Sequence, residues 1–290
     1  ITFVAGDMRP LMNTDLSFNG QWEFYNGTTW ITSGTYDGKA PQNTSNTINR
    51  VFIDKYVTGG GSATKAYTCS FIIQSGGELD LVANAPPHVA AEMIAAGKKI
   101  EVLTGGTLTV QGDIDVASTS NLIVRSGGTM TLNQNSINNS HPMWDGVELF
   151  EGGSTVVIND WKWNSSGAGS LLNILTSITN NANGYKFGNL IIDVNSTDSF
   201  SLIGGGIGIV NLCENDFDIS NSSSYYIHGA TNRTGINGFL INGNMTIYDG
   251  NFSFGTSFSN DSFNHQFIIN GNFECGSNDV LKIHHIELNT

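Results

Sequence analysis

Basic residues are scarce in this chain. Only 12 of its 290 residues are Lys or Arg, against 25 Asp or Glu, a net charge of −13. Neutralising a phosphate backbone needs a basic face, so nucleic-acid binding is excluded as a function class. Anionic membrane surfaces would repel the chain for the same reason. Charge of either sign is low, at 13%, about half the ~25% of an average soluble protein. That excludes a coiled coil, whose heptads need charged flanks. Proline occurs five times and cysteine three times, at Cys69, Cys213 and Cys275. Three cysteines cannot all pair internally, and none sits in a CxxC. They read as small buried apolar side chains, with a Cys213–Cys275 bridge left open. No run approaches the 18 apolar residues of a membrane-spanning helix, so no membrane insertion is expected. The opening ITFVAGDMRP has no basic segment followed by an apolar core, so a cytosolic protein, a mature chain or a piece of a longer one is expected.

What is abundant is small and polar. The chain has 35 Gly, 34 Asn, 28 Ser and 26 Thr, all poor helix formers. Hydrophobic residues still make up 39% and aromatics 10%, enough to build a core and to argue against disorder.

Residues 1–66 show no sustained period and read as an irregular N-terminal capping segment. A repeat then begins: FIIQSGGELDLV (71–82), IEVLTGGTLTV (100–110), LIVRSGGTMTL (122–132) and VELFEGGSTVVI (147–158). Each is a short β-branched run, a Gly-Gly turn and a second short run. The leading glycines, Gly76, Gly105, Gly127 and Gly152, are 29, 22 and 25 residues apart. Farther on, Asn-Gly pairs at 242–243 and 270–271 stand 28 apart. A period of roughly 20–30 residues with short alternating strands and glycine corners is the signature of a solenoid. Within the strands, Leu108 and Val110, then Met130 and Leu132, share one side, with Thr107, Thr109, Thr129 and Thr131 on the other. Stacking the repeats would bury the apolar side as one column. The competing local account makes each Gly-Gly a two-residue hairpin turn. The fold predicted is therefore all-β: a parallel β-helix over 67–290 behind a cap that includes Trp22, Phe24, Tyr25 and Trp30. Residues 86–98, PPHVAAEMIAAGK, are the best candidate helix: Pro opens it, Ala, Glu and Met fill it, and Gly97 closes it. The last residues, LKIHHIELNT, read as strand without a cap, and the β-helix is expected to continue beyond the sequence.

The order NGTTW (26–30), NTINRVFIDKYVT, KAYTCSFIIQSGGELDLV, IEVLTGGTLTVQGDIDV and NLIVRSGGTMTLN resembles large secreted surface proteins of the Bacteroidota, over residues 20–135 best. The most specific segment is Cys69-Ser70-Phe71-Ile72-Ile73-Gln74-Ser75-Gly76-Gly77. The resemblance implies a right-handed β-helix at the cell surface or outside the cell. It also implies export as cargo of the type IX secretion system and a role in adhesion, including that of gliding cells. The implied partners are a surface glycan or surface protein, the rest of a parent chain and the secretion machinery. The motif is architectural and brings no catalytic residue with it.

Catalytic constellations were weighed against that reading. Of a polygalacturonase pattern only Asn13-Thr14-Asp15 and His228-Gly229 occur. The four Arg (9, 50, 125, 233) lie outside any acidic repeat of the kind a calcium-dependent lyase uses. Asp113 and Asp115 share a strand face and read as solvated surface, although two such carboxylates could serve hydrolysis. Glu214, Asp216 and Asp218, at i, i+2 and i+4, are weak calcium candidates. His284 and His285 point to opposite faces, which disfavours joint metal ligation. Gly204-Gly205-Gly206-Ile207-Gly208 lacks the Lys and Ser/Thr of a phosphate loop. Trp161 and Trp163 would share a strand face and form a weak candidate sugar platform. The Thr107/Thr109 and Thr129/Thr131 ladder is too small for an ice-binding plane. The favoured function is a non-enzymatic extracellular adhesin or stalk module with no cofactor, calcium remaining possible. The alternatives are a carbohydrate-active β-helix enzyme, lyase or hydrolase, and a carbohydrate-binding module.

Overall fold

Short β-branched and Thr-rich segments favour strands over helices, and every regular element in the described part of the computed structural model is a β-strand. The described residues are 1–32, 40–41, 48–59, 65–81, 92–94, 97–110, 114–116, 121–133, 147–159, 169–170, 188–193, 199–201, 209–213, 217–220, 224–227, 236–241, 244–247, 251–254, 264–269, 271–275 and 280–283. Contacts divide the chain into two compact units, residues 1–131 with 143–151, and residues 132–142 with 152–290.

In the first unit the strands recur in threes. Arg50–Ile53, Ser70–Ile73, Lys99–Val102, Asn121–Val124 and Val147–Phe150 pair side by side in parallel. Tyr56–Gly59, Glu78–Leu81 and Thr107–Val110 form a second parallel sheet, which Thr129–Asn133 joins. Lys65–Tyr67, Glu92–Ile94 and Ile114–Val116 form a third. The strands flanking each Gly-Gly lie in different sheets, and each pairs with its counterpart one repeat away, so the hairpin account fails.

Two expectations are corrected here. The described residues of 1–66 include regular strands. Asp7–Pro10 pairs in parallel with Arg50–Ile53, and Thr14–Asp15 with Tyr56–Gly59. Trp22–Tyr25 and Trp30–Ile31 then cover the sheet edge as two antiparallel strands. The helix expected over 86–98 contains the strand Glu92–Ile94 instead. Parallel partners on both sides supply its backbone hydrogen bonds, and tertiary pairing overrides the helical preference of Ala, Glu and Met.

The interior follows from period-2 alternation. Val57, Leu79, Leu108 and Val110 have no exposed surface, and Leu81 and Met130 are also buried. Register sets Val57 beside Leu79, and Leu79 beside Leu108. In the neighbouring sheet Val51, Phe71, Ile100 and Leu122 form one buried row, and Ile53, Ile73, Val102 and Val124 another. The predicted inward set therefore holds for Leu108, Val110 and Met130; the side chain of Leu132 lies outside the described residues.

The Gly-Gly corners stack as a hydrogen-bonded column. The Gly76 N–H donates to Gly105 O at 2.9 Å, and the Gly105 N–H to Gly127 O at 2.8 Å. Gly76, Gly105 and Gly127 have φ of 77°, 74° and 75°, the left-handed region that Gly enters without strain. In the fourth corner Gly153 takes that role, with φ 81°, rather than Gly152 as the sequence alignment suggested. The alignment slips because each positive-φ residue stands three places after a strand end: Ile73, Val102, Val124 and Phe150. Ser154 then occupies the position of Gly77, Gly106 and Gly128, fully buried with its Oγ unpartnered.

The second unit repeats the threefold order. One parallel sheet runs through Thr155–Asn159, Asn189–Asp193, Phe217–Ser220, Met245–Ile247 and Phe273–Cys275. A second runs through Gly169–Ser170, Ser199–Ser201, Ser224–Ile227, Asn251–Phe254 and Val280–Ile283. A third holds Ile209–Cys213, Ile236–Ile241 and Asn264–Ile269. Asn244 and Asn272 precede their strands and link successive repeats: the Asn272 N–H donates to Asn244 Oδ1 at 2.9 Å.

Candidate functional site

Three outward regions of the first unit bring chemistry-bearing side chains together. At its N-terminal edge, Phe3 packs on Trp30 and on Phe52, each at 5.0 Å between ring centroids, and Tyr25 packs on Trp30 at 5.3 Å. The Arg9 guanidinium covers the Trp30 ring at 4.3 Å, so that indole is spent on packing and a cation–π contact. Asp7, fully buried, receives Arg50 Nε at 2.9 Å on Oδ1, and on Oδ2 Arg50 Nη2 at 2.6 Å and the Val4 N–H at 2.8 Å. A buried carboxylate needs such pairing.

The second region is an ionic ladder over three successive strands. Glu101 takes a salt bridge from Lys99 on its own strand, and Arg125 Nε donates to Glu101 Oε1 at 2.7 Å. Arg125 also bonds Glu151, whose other oxygen accepts the Ser126 N–H at 3.2 Å. Burial pushes the Glu101 carboxyl up, but the hydrogen bonds from Lys99 and Arg125 outweigh it and hold the carboxyl below the ordinary range. The hydrogen bond from Arg125 holds Glu151 low as well. A carboxylate depressed in the folded state stabilises the fold above its ordinary pKa, about 4.3 for Glu, and loses that contribution as pH falls through the depressed value. The denaturation midpoint of the protein should therefore drop below about pH 4, and Arg125→Met should shrink that acid-side drop. Equal pH dependence in the two proteins, measured by urea unfolding from neutral to acid pH, would show that the ladder adds nothing.

The third region is the outward face of the sheet built on Tyr56–Gly59. Register places Tyr56, Glu78 and Thr107 in one row, and Asp15, Thr58, Asp80 and Thr109 in the next. The Tyr56 hydroxyl donates to Asp80 Oδ2 at 3.0 Å, Thr58 Oγ1 to Asp15 Oδ2 at 2.9 Å and Thr109 Oγ1 to Glu78 Oε1 at 3.4 Å. Desolvation, the hydrogen bond to Asp80 and the charges of Asp80 and Glu78 push the Tyr56 hydroxyl above its ordinary 10. Tyr56 as a whole remains 38% exposed. Sequence reasoning singled out neither Glu78 nor Asp80 as a site residue. The available signal was their place, one repeat before Thr107 and Thr109.

Most of the candidates named from sequence lie outside the described residues. Trp161, Trp163, Glu214, Asp216 and Asp113 lie outside the described residues. Asp218 sits in Phe217–Ser220, in register with Ile191 and Thr246, and Asp115 in Ile114–Val116, opposite Met93. Among the described residues, no group of three or more His, Cys, Asp and Glu is placed to hold a metal ion. Cys213 and Cys275 fall on strands of different sheets. Cys69 is a buried free thiol, pushed up to about 12 by burial, and a thiol so protonated is a poor nucleophile. No helix among the described residues is long and apolar enough to cross a membrane.

No protein family, curated protein or solved structure matches this chain.

Proposed function

We propose that the chain is a non-enzymatic module of a larger surface protein: a right-handed parallel β-helix that holds a binding face away from the cell. The observation that carries this reading is the in-register threefold repeat, seen in each unit. In each unit, successive repeats place described strands in three parallel sheets, and in Thr107–Val110 one apolar row is buried while the alternate row is only half-buried. Such stacking gives a quasi-one-dimensional scaffold whose outward rows form extended surfaces. The right hand is the general rule for parallel crossovers within one sheet. The resemblance of residues 20–135 to Bacteroidota adhesins supports an extracellular place, type IX export and a surface glycan or protein as partner.

The test is to immobilise the chain and present it with a panel of cell-surface polysaccharides and proteins while assaying sugar release. Retention of a partner without release of reducing ends or unsaturated sugars is the expected result. Sugar release abolished by Asp115→Asn or Asp80→Asn would establish the carbohydrate-active enzyme instead.

A further inference from the structure

We propose that Asn26 is a site of self-modification. The turn Asn26-Gly27-Thr28-Thr29 promotes closure of its own Asn-Gly pair to a succinimide, which water opens to aspartate or isoaspartate. This turn joins Trp22–Tyr25 to Trp30–Ile31, the antiparallel strands that cover the sheet edge. Asn26 Oδ1 accepts three hydrogen bonds of 2.9 Å, from the Thr28 N–H, the Thr28 hydroxyl and the Thr29 N–H. Donors that converge on one carbonyl oxygen act as an oxyanion hole: they hold the negative charge that an attack on its carbon creates. The attacking atom is the Gly27 nitrogen, next along the chain. Among the described residues the Gly27 N–H donates to no acceptor, and glycine has no side chain to obstruct the approach. All four residues of the turn are exposed, so water and hydroxide reach them.

The bonds balance without an oxidant or a reductant. The Gly27 nitrogen gives its proton to hydroxide and bonds to Asn26 Cγ, and the carbonyl electron pair moves onto Oδ1. The pair then returns, the Cγ–Nδ2 bond breaks, and the leaving nitrogen takes a proton from water and departs as ammonia. Water opens the ring at either carbonyl. Opening at Cγ gives an aspartate; opening at the main-chain carbonyl gives an isoaspartate, whose backbone runs through Cβ and Cγ. The donors belong to the two residues that follow the nucleophile, so ring closure keeps them within reach of Oδ1. Asn19-Gly20, also exposed, supplies the contrast. Its Oδ1 accepts the N–H of Ala40, a buried residue 21 places along the chain, so closure there gives up a bond that ties two segments together. Isoaspartate lengthens the backbone of a turn that sets Tyr25 opposite Trp30 and Phe24 opposite Ile31. Conversion therefore loosens the strand cover and the packing among Phe3, Tyr25 and Trp30.

The experiment holds the full chain in mildly alkaline buffer, digests timed samples and weighs the peptides by mass spectrometry. The peptide containing Asn26 should first appear lighter by one ammonia, and then heavier than the original by the exchange of an amide for an acid. A protein isoaspartyl methyltransferase should label the isoaspartate. The rate should rise with pH and exceed that at Asn19. Thr28→Ala should slow it about tenfold, the worth of one hydrogen bond to a charged oxygen. Thr28→Ser, which keeps the hydroxyl, should restore it. Unfolding in urea should slow it by at least as much, because the donors disperse. An equal or faster rate in urea would reduce the site to ordinary Asn-Gly chemistry and overturn the role of the turn. So would Asn19 converting as fast, or Thr28→Ala converting at the original rate with unchanged circular dichroism. No conversion at Asn26 would overturn the site outright. Tryptophan emission should shift in the isoaspartate fraction, and an unshifted emission would overturn the loosening of the cover.

Discussion

Gly77→Ala is expected to destabilise the protein by about 3 kcal/mol, at the upper end of ordinary overpacking costs. A Cβ built at Gly77 falls 2.0 Å from Ile53 O and 2.6 Å from Ile53 C. Both are backbone atoms of a strand paired on each side, so neither can swing away as a flexible side chain would. The adjacent Gly76 gives the internal contrast. It has φ +77° and nothing within 4 Å of its would-be Cβ, so Gly76→Ala adds only the left-handed strain of about 1–2 kcal/mol. Gly106 and Gly128 meet backbone oxygens at 2.8 and 3.0 Å and should fall between the two. Urea unfolding followed by tryptophan fluorescence and circular dichroism orders the four variants. If Gly76→Ala is the more damaging of the neighbouring pair, the tight contact of the corner with the preceding strand is wrong.

Leu108→Ala is expected to cost about 2–5 kcal/mol through the cavity it opens. Leu108 has no exposed surface and is flanked in register by Leu79, itself flanked by Val57. Both neighbours belong to strands fixed by pairing, which limits how far the site can collapse. Thr107, one residue earlier and half-buried on the other face, should tolerate Ala within about 0.5 kcal/mol. Comparable losses at the two positions, in the same unfolding assay, would mean that the alternation of this strand does not decide its energetics.

The strands of the Gly-Gly repeat were legible because their information is local. Period-2 alternation names the inward face of Thr107–Val110 from the strand alone, and a Gly-Gly between two β-branched runs marks a corner wherever it occurs. The strands before residue 67 were not legible. Asp7–Pro10 contains a proline, and Thr14–Asp15 is two residues long. Such segments become strands only because a neighbouring repeat offers them a hydrogen-bonding partner. Glu92–Ile94 is the sharper case: its own residues favour a helix, and pairing on both sides makes it a strand. The ionic ladder was invisible for a related reason. Arg125 meets Glu101 and Glu151 at separations of 24 and 26 residues.

The sequence by itself determined that this protein is built of short strands with glycine corners, which residues of the clearest strands face inward, and that its net charge is −13. Tertiary structure decided which glycine of a corner takes the positive φ. It also decided that Ser154 fills a site glycine holds elsewhere, and that Tyr56, Glu78, Asp80 and Thr109 share one side of a sheet. The physical reason is register. Parallel pairing sets residues a whole repeat apart about 5 Å from one another, and repeats of unequal length hide that partnership from any local window of the chain.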